Sequence, residues 1–385
     1  MSNLSLEIPC KLYTPSRLFS VLRSEPASGI AHFYQSNLYE KSLLFFEFVG
    51  DNYSSLETFI SALEAERQNY FVIIDDTYEG LLTQEDIDNF SNLFDRMNLC
   101  YAFVSSNEKL KGKNVYTFSF HLCYKEYDNI DVQGSEFELN KLPRSKIFLC
   151  LNRQPRYHRY EVVDHLIKNN YIKDSLVSCP SFHFEDIQSD ILQFDKQKKY
   201  LTEKYFDSNI LNFSLDQEVA KRLKANLPIL LDTTEYAMEK NKRHLPCPEH
   251  LFQSSYWSII NERDFYDDRY LGWTEKVLKS LFYCHPFLVV GLPYTLKSLK
   301  KLGFITFSSV IDESYDEIEN DIERMQAIKH EIDKLAGLDY TDHHIIYHKK
   351  LLPILEHNRR NYIRLNQTYL PSTIITKVIE WYCRS

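Results

Sequence analysis

Short apolar runs rich in β-branched and aromatic residues alternate with amphipathic stretches of helical period, and this alternation limits the fold more than any other feature of the chain. In the first half the order is Ser42 to Val49, Leu56 to Arg67, Tyr70 to Ile74, Gln84 to Met97 and Leu99 to Val104, which reads strand, helix, strand, helix, strand. Within the second of those helices Ile87, Phe90, Leu93, Phe94 and Met97 recur at helical spacing and form one apolar stripe. The pattern breaks into polar, acidic sequence between Tyr124 and Pro143 and restarts at Lys146 to Leu151, so the expected domains are residues 1–141 and 142–385. The second half continues with a helix over Tyr157 to Asn169 and strands at Leu176 to Cys179 and Tyr256 to Asn261. Next come a helix over Thr274 to Phe282, a strand at Phe287 to Val290, a helix over Tyr294 to Leu302 and a strand at Phe304 to Phe307. Residues 185–225 are richer in charge and are expected to form helices or an insertion. Tyr315 to Leu335 reads as one long amphipathic helix, with more helix over His343 to Arg364 and near the C-terminus. Repeated β-α-β order predicts parallel sheets with helices on both faces, in two α/β halves that leave a cleft between them.

Composition agrees with two cores. The chain has 385 residues, more than one hydrophobic core usually serves, which favours two domains or one large α/β unit, and 44% of them are hydrophobic, including 27 Tyr and 25 Phe. Only 9 Gly and 13 Pro are present, which argues against long flexible linkers and low-complexity architectures. The eight cysteines are scattered without a CxxC pair, several inside apolar runs, and read as reduced thiols of a cytoplasmic protein. No apolar run is long enough for a signal peptide or a membrane span. A net charge of −9 without a basic stretch disfavours a nucleic-acid partner, although a local basic groove would still be compatible with it.

Three places carry residue types suited to chemistry. The strand Phe71 to Ile74 ends in Asp75-Asp76, which sets two carboxylates where open α/β sheets keep their functional groups; a helix cap or solvated turn is the plainer alternative. Thr274 can cap a helix that Glu275 and Lys276 begin, and free backbone amides plus a lysine in the first turn suit a diphosphate, with Glu275 available to ribose hydroxyls. An ordinary capped surface helix would have the same sequence. The third place is Leu151-Asn-Arg-Gln-Pro-Arg-Tyr-His-Arg159, where Arg153, Arg156 and Arg159 open a helix after a strand. Positive charge at a helix N-terminus opposes the dipole, so an anionic partner explains it better than solvent does.

The run from Tyr256 to Gly291 resembles the donor-binding segment of the α-1,3/1,4-fucosyltransferase family. The matching parts are Ile259-Ile260-Asn261-Glu262, Thr274-Glu275-Lys276 and Pro286-Phe287-Leu288-Val289-Val290-Gly291. The stretch Leu296 to Leu335, with Gly303-Phe304-Ile305-Thr306-Phe307 and Asp312-Glu313-Ser314-Tyr315-Asp316, is similar to a broader set of viral and bacterial glycosyltransferase-like proteins. The resemblance covers the second half of the chain. It departs from the fucosyltransferase pattern at Glu262-Arg263-Asp264, where that family has Glu-Asn-Ser, and in a Pro-to-Gly strand longer by one residue. It implies two Rossmann-like domains facing a cleft, as in GT-B enzymes, a nucleotide-sugar donor as substrate, and no metal or other cofactor. Glu275 would then hold the ribose and Lys276 the phosphates, in a donor site with Glu262 and Thr274.

Two histidine groups suit a metal less well than a polar surface. His244, Cys247 and His250 lie among prolines without an evident fourth ligand, and His344 and His348 share a helical face without the HExxH pattern. No GxSxG, GxxxxGK[ST] or GxGxxG occurs. The reading that follows is transfer of a sugar from a nucleoside-diphosphate donor to an acceptor hydroxyl. Asp75 or Asp76 of the acceptor-side domain would be the base, and inversion is expected if base and leaving group lie on opposite faces of the sugar. The acceptor would be a glycan or, less favoured by charge, a modified nucleic acid. A non-catalytic α/β protein that keeps a nucleotide pocket is the alternative from another class.

Overall fold

The structure, a computed structural model, describes residues 33–38, 41–47, 70–76, 82–105, 107, 109–117, 142–153, 156–179, 181, 217–231, 249–266 and 273–366. It is a mixed α/β structure built on two sheets of largely parallel strands. The chain divides into two compact units, one of residues 1–125 with 269–271 and 363–385, the other of residues 126–268 with 272–362.

In the first unit, β1 (Phe33–Leu38) and β2 (Lys41–Glu47) pair antiparallel, and β3 (Tyr70–Asp76), β4 (Cys100–Ser105) and β5 (Val115–Thr117) add in parallel, in the order β1-β2-β3-β4-β5. Strand β1 and the short β5 have no counterpart in the sequence reading. Between β3 and β4 runs α1 (Gln84–Arg96), whose start is a capping box: Thr83 N–H donates to Asp86 Oδ2 at 2.7 Å and Asp86 N–H to Thr83 Oγ1 at 3.2 Å. Its stripe of Ile87, Phe90 and Phe94 packs on Val72, Ile74, Tyr101 and Phe103, with Leu93 and Met97 at the margin. Phe71 to Ile74 are all buried, as expected of a parallel strand covered on both faces.

The second unit holds a four-stranded, all-parallel sheet in the order β7-β6-β8-β9, with β6 at Lys146–Leu151, β7 at Ser175–Ser178, β8 at Ser255–Asn261 and β9 at Phe287–Val290. Helix α2 (Tyr157–Lys168) follows β6, α3 (Gln217–Asn226) and α4 (Glu249–Ser254) precede β8, and α5 (Glu275–Phe282) connects β8 to β9. After β9 come α6 (Thr295–Lys301), α7 (Asp321–Ala336), α8 (Tyr340–Ile346) and α9 (Leu352–Asn366). A π turn at Tyr347–Leu351 joins the last two, next to Pro353, which has no N–H to give an α-helical ladder. Every residue of β8 is buried, so this central strand is covered on both faces.

Helices α1, α5 and α6 end in one way. A residue in the left-handed region follows each (Asn98, φ 53°; Cys284, φ 49°; Gly303, φ 83°), and the next N–H turns back to the last turn, as Leu99 to Phe94 O, His285 to Ser280 O and Phe304 to Leu299 O. The device sets each following segment running back against its sheet.

Two expectations are corrected. Phe304 to Phe307 is not a strand: the side chain of Asn358 on α9 accepts from Ile305 N–H at 2.8 Å and donates to Ile305 O at 2.7 Å, and Phe307 N–H donates to Glu313 Oε1. Side chains thus satisfy the backbone that a neighbouring strand would have paired. Tyr315 to Leu335 is not one helix: a 3-10 turn over Glu313–Glu317, started by Asp312, ends at Ile318, and Asn320 caps α7 by accepting from Ile322 and Glu323 N–H. The predicted helix over Leu56 to Arg67, most of residues 185–225 and the C-terminal helix lie outside the described residues. No described helix is long and apolar enough to cross a membrane.

Candidate functional site

Strand order in the second sheet reverses between β6 and β8. From β6 the chain moves outward to β7, then returns to lay β8 on the other side of β6 and continues to β9. At such a reversal the connections leave the C-terminal strand ends in opposite directions and open a crevice, the usual ligand site of open α/β sheets. The chain leaves β6 into Asn152 and Arg153, then Arg156 and α2; it leaves β8 into Glu262, then Thr274 and α5. The second and third sequence motifs therefore stand on either side of one switch point.

Glu262 joins the two sides. Its N–H continues the sheet by donating to Val290 O at 2.9 Å. Its carbonyl oxygen accepts from His158 Nε2 and from Arg159 Nη2 of α2, both at 3.0 Å. Its carboxylate, fully buried, takes Thr274 N–H on Oε1 at 2.9 Å and the Thr274 hydroxyl on Oε2 at 2.5 Å. The same hydroxyl oxygen accepts from Lys276 Nζ at 2.9 Å, so a directed chain runs from ammonium through hydroxyl to carboxylate. Lys276 Nζ also lies 3.7 Å from Glu262 Oε2 and 3.4 Å from Glu275 Oε1. Burial raises the Glu262 carboxyl above the usual range, opposed by Lys276 and the two Thr274 hydrogen bonds. Gly291 closes β9 against this residue, since a Cβ there would lie 3.3 Å from Glu262 Cβ and equally close to Val289 Cγ1.

The α2 side is basic. Arg156 is the N-cap residue, the cap has no side-chain hydrogen bond, and the first turn contains no acid. Arg159 is buried; burial first, and then the charge of Arg156, bring its guanidinium down to about 10, against the pull of Glu262, Asp264 and Glu275. His158 is also buried and stacks on Phe265 with ring centroids 5.5 Å apart. Its imidazole is held well below 6.5, by burial first and then by Arg159, with smaller effects of Arg156 and Lys276. A neutral ring bonded to a carbonyl through Nε2 must carry its proton there, so His158 donates to Glu262. Arg153 is exposed just beyond β6.

Glu262, Thr274 and Lys276 are thus in contact, Glu275 lies against Lys276, and Arg159 is bonded to the same residue that organises them. Asp75 and Asp76 close β3 in the other unit, in register with Val104 and Ser105 of β4; their side chains lie outside the described residues. His244 and Cys247 also lie outside them, and among the described residues no group of three His, Cys, Asp or Glu side chains could hold a metal ion. The rings of His344 and His348 meet edge to face at 4.4 Å, with the Tyr256 hydroxyl 3.5 Å from His344 Nδ1.

Sequence reasoning missed three residues of this neighbourhood. His158 sits inside the arginine run but carried no signal of its own. Asn152 and Asn261, both buried, pair across the switch point, Asn261 Nδ2 donating to Asn152 Oδ1 at 2.9 Å, and a polar residue ending each of two adjacent strands was the available clue. The chain matches no family model and no curated protein.

Proposed function

We propose that this chain is a glycosyltransferase that moves a sugar from a nucleoside-diphosphate donor to an acceptor hydroxyl, and that the diphosphate binds at the β6–β8 switch point. The observation that carries the reading is the convergence there of two helix starts, α2 and α5, with the cationic side chains of Arg156, Arg159 and Lys276. Helix N-termini and fixed cations recognise phosphate oxygens and stabilise the charge that a departing nucleoside diphosphate acquires. Glu262 would act by holding Thr274, since both its oxygens are engaged there, while Glu275 and Lys276, partly exposed beside it, would meet ribose and phosphate. Arg153 would add charge at the rim.

In the reaction so assigned, a carboxylate of the acceptor-side domain, Asp75 or Asp76, takes the acceptor hydroxyl proton. The acceptor oxygen forms its bond to the anomeric carbon as the bond to the diphosphate oxygen breaks, and that oxygen leaves with the electron pair. Two Rossmann-like domains facing a cleft, the GT-B arrangement, would bring donor and acceptor together.

Thermal melting of the purified protein with UDP-, GDP-, CMP- and dTDP-sugars tests the reading. A donor at a hundred times its Kd stabilises the native state by about 2.7 kcal/mol, an easily measured rise in Tm. Lys276→Ala is expected to abolish the shift and donor hydrolysis together. If no donor raises Tm, the donor site is refuted; binding without turnover of any donor would instead favour a non-catalytic nucleotide-binding protein.

A further inference from the structure

Arg324, in the first turn of α7, is 1% exposed and uses its whole guanidinium. Nε donates to Gly291 O at 3.2 Å, Nη1 to Ile318 O at 2.8 Å and Glu319 O at 3.1 Å, and Nη2 to Phe265 O and Asp321 Oδ1, each at 2.6 Å. Its Cζ also lies 4.4 Å from the centroid of the Phe265 ring. Four of the five acceptors are backbone carbonyls, drawn from the segment that follows β8, from the end of β9 and from the turn before α7. An ion pair alone would not require that arrangement; a planar fork of five donors does.

We infer that Arg324 is a positioning residue for the proposed donor site, an inference that rests on that reading of the switch point. The Glu262–Tyr266 segment is held at one end by α2, through His158 and Arg159 on Glu262 O, and at the other by Arg324 on Phe265 O. Phe265 is held by its ring as well, which stacks on His158 and lies under the Arg324 guanidinium. The Gly291 that Arg324 holds by its carbonyl is the residue whose Cα lies against Glu262. Each contact bears on where the Glu262 carboxylate stands, and that carboxylate fixes Thr274 and with it the start of α5. Arg324 need not touch the nucleotide. It sets the separation and angle of the two helix starts that would.

Arg324→Lys keeps the charge and cannot span the three segments, so it should loosen the site with the rest of the fold in place. The control is Ile332→Ala, on the same helix, fully buried and two turns farther along. Binding of UDP, GDP and dTDP by calorimetry would be compared for wild type and both variants, with urea unfolding to measure their stability. Expected for Arg324→Lys is a loss of nucleotide affinity on the order of tenfold or more, and faster amide exchange at Thr274; Ile332→Ala should lose stability yet bind as wild type does. Wild-type affinity in Arg324→Lys, or an equal affinity loss in Ile332→Ala, overturns the inference and leaves the donor-site reading standing. Failure of the wild type to bind any of the three overturns the reading, and the inference with it.

Discussion

Replacing Thr274 with valine removes one hydroxyl and keeps the shape of the side chain, so it breaks the link from Lys276 through Thr274 to Glu262 and spares the Thr274 N–H bond. That hydroxyl donates to Glu262 Oε2 at 2.5 Å inside a site where the carboxylate has no solvent contact. A hydrogen bond to a buried charge contributes roughly 1.5–3 kcal/mol, and its loss leaves Oε2, among the described residues, with Lys276 at 3.7 Å. The cap adds little, because Oγ1 accepts from Lys276 N–H at 3.5 Å, the long limit for such a bond. The expected cost is therefore about 2–3 kcal/mol at pH 7.5, whereas Thr274→Ser, which keeps the hydroxyl and loses one methyl, should cost about 1 kcal/mol or less. Urea unfolding followed by the fluorescence of Trp257 and Trp273, both buried in this unit, would measure it in a Trp381→Phe background. Burial already raises the Glu262 carboxyl, and without the hydroxyl it should rise further. The gap between the two variants should accordingly narrow as pH falls and Glu262 takes up a proton. Equal stability of the valine and serine variants at pH 7.5 would refute the idea that this bond holds the two sides of the switch point together.

The remaining predictions concern the scaffold behind the site. Asp316 accepts from Leu296 and Lys297 N–H at the start of α6, and burial raises its carboxyl from 3.8 to about 6. A carboxyl raised in the folded state contributes stability that is fully present below its unfolded value and lost as pH climbs through the folded one. Wild type should therefore lose about 2.4 kcal/mol relative to Asp316→Asn between pH 4 and pH 7, and parallel stability profiles of the two proteins would count against it. Asn358→Leu strips both partners from the Ile305 backbone and should cost about 1–3 kcal/mol in urea unfolding; a neutral result would mean that solvent replaces both bonds. With Lys276→Ala and Arg324→Lys, these variants separate loss of binding from loss of fold.

Much of the fold could be read from the sequence, and the errors have specific physical sources. The bounds of β6 and β9 coincide with the apolar runs Lys146 to Leu151 and Phe287 to Val290, because a buried parallel strand leaves little room for polar residues. Thr274 as a cap was legible because the cap and the helix it starts are contiguous. Phe304 to Phe307 has the composition of a strand, and the residue that replaces its strand partner, Asn358, lies more than fifty positions away. No local pattern encodes such a substitution. The break at Ile318 is similar in kind: the spacing of apolar residues continues through it, and what stops the helix is the competition of Asp312 and Asn320 side chains for backbone N–H groups.

The site divides along the same line. Residue types suited to phosphate were visible in two separate stretches, but what relates them is the strand order, and order is a long-range property. A reader of the sequence sees Glu262 as the end of a strand and Arg159 as one of three arginines. In the fold the two are bonded, and Glu262 is used twice, by its carbonyl for α2 and by its carboxylate for α5. This double use has a consequence for how the site could evolve or be redesigned. Glutamine at 262 would keep the carbonyl bonds but has only one side-chain oxygen for the two Thr274 donors, whereas aspartate would keep both oxygens and fall short by one methylene. Glutamate alone offers two oxygens to the two Thr274 donors at this separation, so substitution at 262 should disturb the start of α5 and keep the backbone carbonyl bonds to α2, while substitution at Lys276 or Arg153, which stand at the edge, should change binding at the proposed site and leave the sheet intact.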